Sequence, residues 1–230
     1  MAKSVLLKSS IGKKYWMALT GLFLISFLLI HLLGNFQLLK HDDGAAFNTY
    51  AKFMTTFLPI KIVSYLLYTS ILLHAFDGFL LAAQNRKARP VKYAMEKGSA
   101  NSGWSSRSMA LLGTLLLIFI VTHMAQFWGQ MKFGHVNEVM IDGESYKDLY
   151  TLVAIAYSKQ DPMGLFWVIA YTISMVVLAF HLWHGYVSAF QTLGIRHKKF
   201  RLIAKLTSWV VAIGLPAGFA IIPIIMYFNS

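Results

Sequence analysis

Five long apolar blocks restrict this chain more than any other feature. They run approximately over 15–39, 60–84, 107–130, 164–191 and 202–228. Each is long enough to cross a hydrocarbon core of about 30 Å, which takes roughly 20 helical residues. Helix is the expected conformation for all five. A lone strand would leave its backbone amides and carbonyls unpaired in lipid, and the period-two pattern of a barrel wall is absent. The expected fold class is therefore all-α integral membrane, with residues 1–230 forming a single membrane domain. Composition agrees: the chain is 57% hydrophobic and only 13% charged, against about 25% charged for a soluble domain.

The first block follows Lys3, Lys8, Lys13 and Lys14, which superficially resembles a secretory signal. At 15–39 it exceeds the roughly 7–15 residues of a signal h-region, and no small-residue cleavage site follows it. It is expected to be a retained span.

The net charge of +12 could suggest a nucleic-acid binder. The charge is instead spread over short connections between apolar blocks, so orientation in a bilayer is the better reading and no nucleic-acid partner is expected. The N-terminus, the 85–106 loop with Arg107, and the stretch from Arg196 to Lys205 hold four, six and five Lys/Arg, with Glu96 as their only acid. Segments 40–61 and 131–163 hold six Lys/Arg and the acids Asp42, Asp43, Glu138, Asp142, Glu144, Asp148 and Asp161. The positive-inside rule places the first set in the cytoplasm. The N-terminus is then cytoplasmic and the C-terminus outside. The aromatic-rich stretch around Phe47, Tyr50 and Phe53 is expected to lie as a short interfacial helix.

Cysteine is absent. That excludes a C-x-x-C-H haem attachment, a cysteine-ligated iron–sulfur cluster and an internal disulfide. Histidine remains as the metal-ligand candidate. His41, His135 and His197 fall in connections and read as ordinary solvated side chains. His31, His74, His123, His181 and His184 fall inside expected spans, where an ionisable group is costly and marks a functional position by default.

Their depths match in pairs. At a rise of about 1.5 Å per residue, His31 and His123 lie roughly 10–12 Å below the outer ends of the first and third blocks. His74 and His181 lie about 15 Å from the inner ends of the second and fourth. In an up–down four-helix bundle the first and third helices are diagonal, as are the second and fourth, and such bundles build cofactor sites from facing helices. Two bis-histidine sites result, one in each half of the membrane. A ligand set of two imidazoles and no carboxylate suits haem iron, whereas zinc usually takes four ligands.

Glycines accompany the histidines. Gly78 follows His74 by four residues, Gly185 follows His181 by four, Gly34 follows His31 by three, and Gly113 lies upstream of His123. Each could leave room for a porphyrin edge or serve ordinary close packing of helices. His181 and His184 lie one turn apart on neighbouring faces, so only one can ligate a given iron; depth and the H-x-x-x-G spacing favour His181, with His184 as the alternate. The fifth block has no histidine and is expected outside the four-helix bundle, bent by Pro216 and Pro223. Asp77, the acid inside a span, is a candidate propionate, proton-transfer or quinone-pocket residue, or else a partner for Arg86 or an N-terminal lysine.

These residues together resemble the cytochrome b membrane anchor of succinate dehydrogenase and quinol:fumarate reductase, in its single-chain, five-helix, dihaem form. The likeness is carried by His31, His74-x-x-x-Gly78 and His123, and by the stretch Asn85-Arg86-Lys87-Ala88-Arg89-Pro90. Its most specific part is Phe180-His181-Leu182-Trp183-His184-Gly185, continuing through Ser188-Ala189-Phe190-Gln191-Thr192-Leu193-Gly194. It extends over essentially the whole chain.

The resemblance implies two haems b, a distal one on His31 and His123 and a proximal one on His74 and the fourth-helix histidine. It also implies flavoprotein and iron–sulfur subunits on the cytoplasmic face, membrane quinone (usually menaquinone) as substrate, and a bacterial cytoplasmic membrane as location. Dicarboxylate chemistry belongs to the flavoprotein. Arg86 and Arg89 read first as orienting charges at the interface, and otherwise as candidates to dock the iron–sulfur subunit or hold propionates. The alternatives are the dihaem anchor of another quinone-linked dehydrogenase or hydrogenase, and a haem-free transporter or anchor with a histidine proton relay.

Overall fold

A computed structural model describes residues 9–87, 103–195 and 197–230. Lys3, Lys8, Arg89, Pro90, Glu96 and Arg196, to which the sequence reading gave orienting or docking roles, lie outside the described residues.

The protein is an all-α membrane protein with five helices long and apolar enough to span a bilayer. Span 1 is Ile11–Leu39, span 2 Leu58–Lys87, span 3 Met109–Phe133, span 4 Gly164–Thr192 and span 5 Leu202–Asn229. Span 1 begins at a serine cap, with the Gly12 amide donating to Ser9 Oγ at 3.0 Å; the side chain satisfies an amide that has no carbonyl a turn earlier. Within the spans, hydroxyls turn back on their own helix. Thr20, Ser64, Thr114 and Thr172 each donate to the carbonyl four residues earlier. That internal pairing is how a polar side chain is tolerated where water is absent.

Spans 1 and 2, 2 and 3, 3 and 4, and 4 and 1 are neighbours. Spans 1 and 3 are therefore diagonal, and so are 2 and 4, the arrangement on which the histidine pairing depends. Outward faces are apolar and uncovered, as at Leu72, Ile118 and Ile173. In a bilayer those faces meet acyl chains as apolar as themselves, so helix association rests on close packing and not on hydrophobic burial.

Span 5 lies against spans 4 and 1, outside the ring of four. It is more than a spectator. Leu32 of span 1 packs so closely against Gly218 that a Cβ there would sit 2.7 Å from Leu32 Cδ2. The principal buried cluster joins Leu32, Val168, Tyr171, Leu215, Ile222 and Met226 from spans 1, 4 and 5. Its backbone departs from α geometry in a π turn at Val210–Gly214. Pro216 follows in the first turn of the next segment, and Pro223 lies inside the continuous helix Leu215–Asn229. The irregularity thus sits ahead of the first proline. A second π turn, Met124–Gly129, begins directly after His123 and had no counterpart in the sequence reading.

The acidic connections form a cap over one end of the bundle. Ala45–Thr56 is a helix, as its aromatic spacing suggests. Glu138–Ile141 (β1) and Glu144–Lys147 (β2) form an antiparallel hairpin, with Glu138 opposite Lys147. Its two-residue turn is Asp142-Gly143, both at positive φ, 50° and 82°; Asp-Gly suits this turn because both central residues must be left-handed. The helix Leu149–Ala156 follows, capped by the Asp148 carboxylate on the Thr151 amide at 3.1 Å.

Asn48, 2% exposed, ties the two halves of the cap together. Its Nδ2 donates to Asp148 Oδ1 at 3.2 Å, and its Oδ1 accepts from the Tyr150 amide at 2.9 Å. Gly44, at φ 82°, caps the first helix where any Cβ would strike the Tyr150 ring.

Candidate functional site

The four intramembrane histidines at matched depth form two facing pairs. His31 of span 1 and His123 of span 3 have ring centroids 5.9 Å apart and planes inclined by 78°. His74 of span 2 and His181 of span 4 have centroids 6.3 Å apart at 65°. A metal–imidazole bond is ~2.0 Å long and the ring centroid lies ~1 Å beyond the bonded nitrogen, so two imidazoles on opposite sides of one ion are centred ~6 Å apart. Both pairs match that spacing. Among the described residues no group of three or more His, Cys, Asp or Glu could hold a metal.

The rings are also oriented by their surroundings. Thr20 donates its hydroxyl hydrogen to the Trp16 carbonyl at 2.9 Å. Its oxygen is 3.1 Å from His74 Nδ1 and has only lone pairs left to offer. This arrangement suits the His74 tautomer that carries its hydrogen on Nδ1 and leaves the Nε2 lone pair open. Such an outer hydrogen bond is the usual way a ligating histidine is held and made more basic. His181 Nδ1 is buried with no hydrogen-bond partner. An unmatched polar atom is costly inside a protein and asks for a missing partner. His184, one turn away, is half-buried and makes no ring contact among the described residues.

The two pairs sit in different walls. His31 and His123 are lined with aromatic rings: Phe27 stacks on His31 at 5.1 Å, Phe119 on His123 at 5.7 Å, and Phe127 and Phe219 close the sides. Phe219 comes from span 5, a contributor that a search for histidines overlooks. His74 and His181 face small residues instead. A Cβ at Gly21 would meet His74 Cε1 at 3.3 Å, and one at Gly113 would meet His181 Cε1 at 3.9 Å. Gly113 thus serves the span 2–span 4 pair and not His123 on its own helix. Gly21 was missed because it lies far from any histidine in the chain.

The remaining glycines divide. Gly185 opens on free space, and Gly78 faces Met17 at 3.7 Å. The space at Gly34 is not available for a porphyrin edge, because the Tyr50 ring from the cap fills it. Asp77 lies three residues beyond His74, half-buried, with no ion pair to Arg86 or to another described residue. Arg86 and Lys87, at the end of span 2, border a groove of about 540 Å³ between spans 2 and 3, floored by Phe79, Ala82, Ala110 and Leu111.

Fold and site together define a class: a multi-pass helical membrane protein with two facing histidine pairs at separate depths. Comparison with known proteins adds no family to that class, since no family model, curated protein or solved structure matches the chain.

Proposed function

We propose that this chain is the dihaem cytochrome b membrane anchor of a succinate:quinone oxidoreductase, carrying electrons between an iron–sulfur subunit and membrane quinone, usually menaquinone for this type. The observation that carries the reading is the pairing of histidines across both diagonals of one bundle, at ligand spacing, within a pattern of spans and a fourth-helix run similar to that family. His31 and His123 hold the distal haem b; His74 and His181 hold the proximal one. The fit is supported by the ~6 Å ring spacing and by the absence of carboxylates from either pair.

Haem b, when bound, supplies one-electron transfer. The residues of this chain position and tune it. Thr20 fixes the His74 tautomer, and Gly21 and Gly113 keep Cβ atoms away from the paired rings. Phe27, Phe119, Phe127 and Phe219 exclude water around His31 and His123, so the two sites differ in polarity and hence in potential. Sites at two depths divide the crossing of the membrane into short steps. Asp77 is the candidate to exchange a proton with quinone near the proximal site.

The basic face carrying Arg86 and Lys87 is the cytoplasmic one, where the flavoprotein and iron–sulfur subunits dock, in a bacterial cytoplasmic membrane. Succinate or fumarate chemistry takes place in the flavoprotein, outside this chain.

The test is a reduced-minus-oxidised spectrum of the purified full chain, made with ample haem supply. Two low-spin haems b per chain are expected. His31→Ala and His74→Ala should each remove one haem, and not the same one, while His184→Ala should keep both. A colourless protein, or one haem lost in common, would overturn the proposal. A histidine proton relay without haem predicts the colourless outcome.

A further inference from the structure

A buried tyrosine stands behind one member of the span 1–span 3 pair and links it to a glutamine on the same span as that histidine. The Tyr171 hydroxyl of span 4 donates to Gln126 Oε1 at 2.8 Å. A tyrosine has a single hydroxyl hydrogen, so only lone pairs remain on the oxygen. That oxygen lies 3.4 Å from His123 Nδ1. The only hydrogen available between them is on the imidazole. The contact is thus suited to the His123 tautomer that carries its hydrogen on Nδ1 and leaves Nε2 bare, on a ring centred 5.9 Å from that of His31.

The backbone contributes to this arrangement. Gln126 sits inside the π turn Met124–Gly129, which opens immediately after His123. Single π turns inside α-helices are frequent at functional sites. Tyr171 is 8% exposed and is packed against the rings of Phe119, Phe127 and Tyr157 at 5.1, 6.2 and 5.3 Å, which holds its oxygen beside His123, and the Tyr157 side chain hydrogen-bonds it as well. The histidine, the acceptor that orients it and the group that orients the acceptor come from two different helices.

We infer that Tyr171 and Gln126 are positioning residues for the distal site, fixing the His123 tautomer and raising the basicity of its Nε2, and so lowering the potential of the haem that His31 and His123 hold. The inference rests on the dihaem reading above. A histidine that donates its outer N–H is a stronger ligand for the oxidised metal. Removing the acceptor should shift that balance towards the reduced form. Among the described residues, span 2 and its Thr20-bound histidine share no hydrogen bond with this chain of groups, so the other haem supplies an internal reference.

The experiment is a potentiometric titration of the full chain in membranes, with both haems followed optically and by the paramagnetic resonance of their oxidised forms. His31→Ala and His74→Ala assign the two signals. Tyr171→Phe should change the oxidised-to-reduced ratio of the distal haem at fixed potential up to tenfold, an upward move of up to ~59 mV for one electron. The proximal haem should stay unmoved. Gln126→Leu breaks the same chain from span 3 without altering the buried ring, and should move the distal haem in the same direction by less.

If His123→Ala removes no haem, the dihaem reading itself fails. If two haems assign as expected but neither variant moves the distal one relative to the proximal one by a factor of two, the reading stands and the role given to Tyr171 and Gln126 is overturned. Equal shifts of both haems likewise overturn it, as they would mean a general loosening of the bundle.

Discussion

Replacing Asn48 by leucine should unfasten the cap from the bundle while leaving the spans intact. The side chain is fully buried and joins segments about a hundred residues apart, giving a hydrogen bond to the Asp148 carboxylate and accepting one from the Tyr150 amide. A hydrogen bond to a charged group contributes ~1.5–3 kcal/mol and a neutral one ~0.5–1.5 kcal/mol. Leucine is close in volume but supplies neither, and it leaves the Tyr150 amide and one Asp148 contact unmatched in the interior. The loss is then ~2–4.5 kcal/mol against local opening of the cap, which is roughly a 30- to 2000-fold rise in the open population.

Local opening is read by amide hydrogen exchange. Exchange should accelerate by that factor at Tyr150 and in the helices Ala45–Thr56 and Leu149–Ala156, with the mid-span amides unchanged. The consequence should reach the histidines, because the Tyr50 ring of this cap fills the space at Gly34, three residues after His31. An acceleration below threefold at Tyr150 would refute the claim that Asn48 clamps the cap. So would equal acceleration throughout the spans.

Other outcomes follow from single contacts. Gly21→Val should displace His74, since even the first added carbon meets its ring at 3.3 Å; spectra should show the haem assigned to His74 weakened or lost and its partner retained. Thr20→Val removes the acceptor from His74 Nδ1 and should raise the potential of that haem by about 40 mV if ~1 kcal/mol of preference for the oxidised form is lost, as a redox titration would read. At the hairpin, the hydrogen bond and charge of Lys52 hold the Glu144 carboxyl below its ordinary value. A carboxylate with a depressed value stabilises the folded cap above its unfolded range, and that support disappears as the pH falls through the lowered value. Hairpin exchange should therefore rise on the acid side of the normal glutamate range, and Glu144→Gln should abolish that dependence.

Much of this architecture is legible in the chain alone, for a plain reason. Hydropathy and charge are properties of contiguous residues, and a bilayer imposes its thickness on any helix that crosses it. Spans 1 to 5 could be placed to within a few residues, and an up–down order puts spans 1 and 3, and 2 and 4, on diagonals. Counting residues from span ends then set His31 level with His123 and His74 level with His181, because rise along a helix is linear in sequence. The Asp142-Gly143 turn was equally open to local reading, though long apolar blocks draw attention away from a four-residue hairpin.

Rotation of each helix about its axis, and the distance at which helices meet, depend on packing between residues far apart in the chain. Only the tertiary structure brings Gly21 rather than Gly78 against His74, fills the room at Gly34 with Tyr50, and turns His181 rather than its neighbour His184 towards span 2. It alone seats Phe219 of a histidine-free span beside His31 and sets Tyr171 and Gln126 behind His123. A one-dimensional pattern records how deep each side chain lies; which way it faces is decided when five helices must fill the same space.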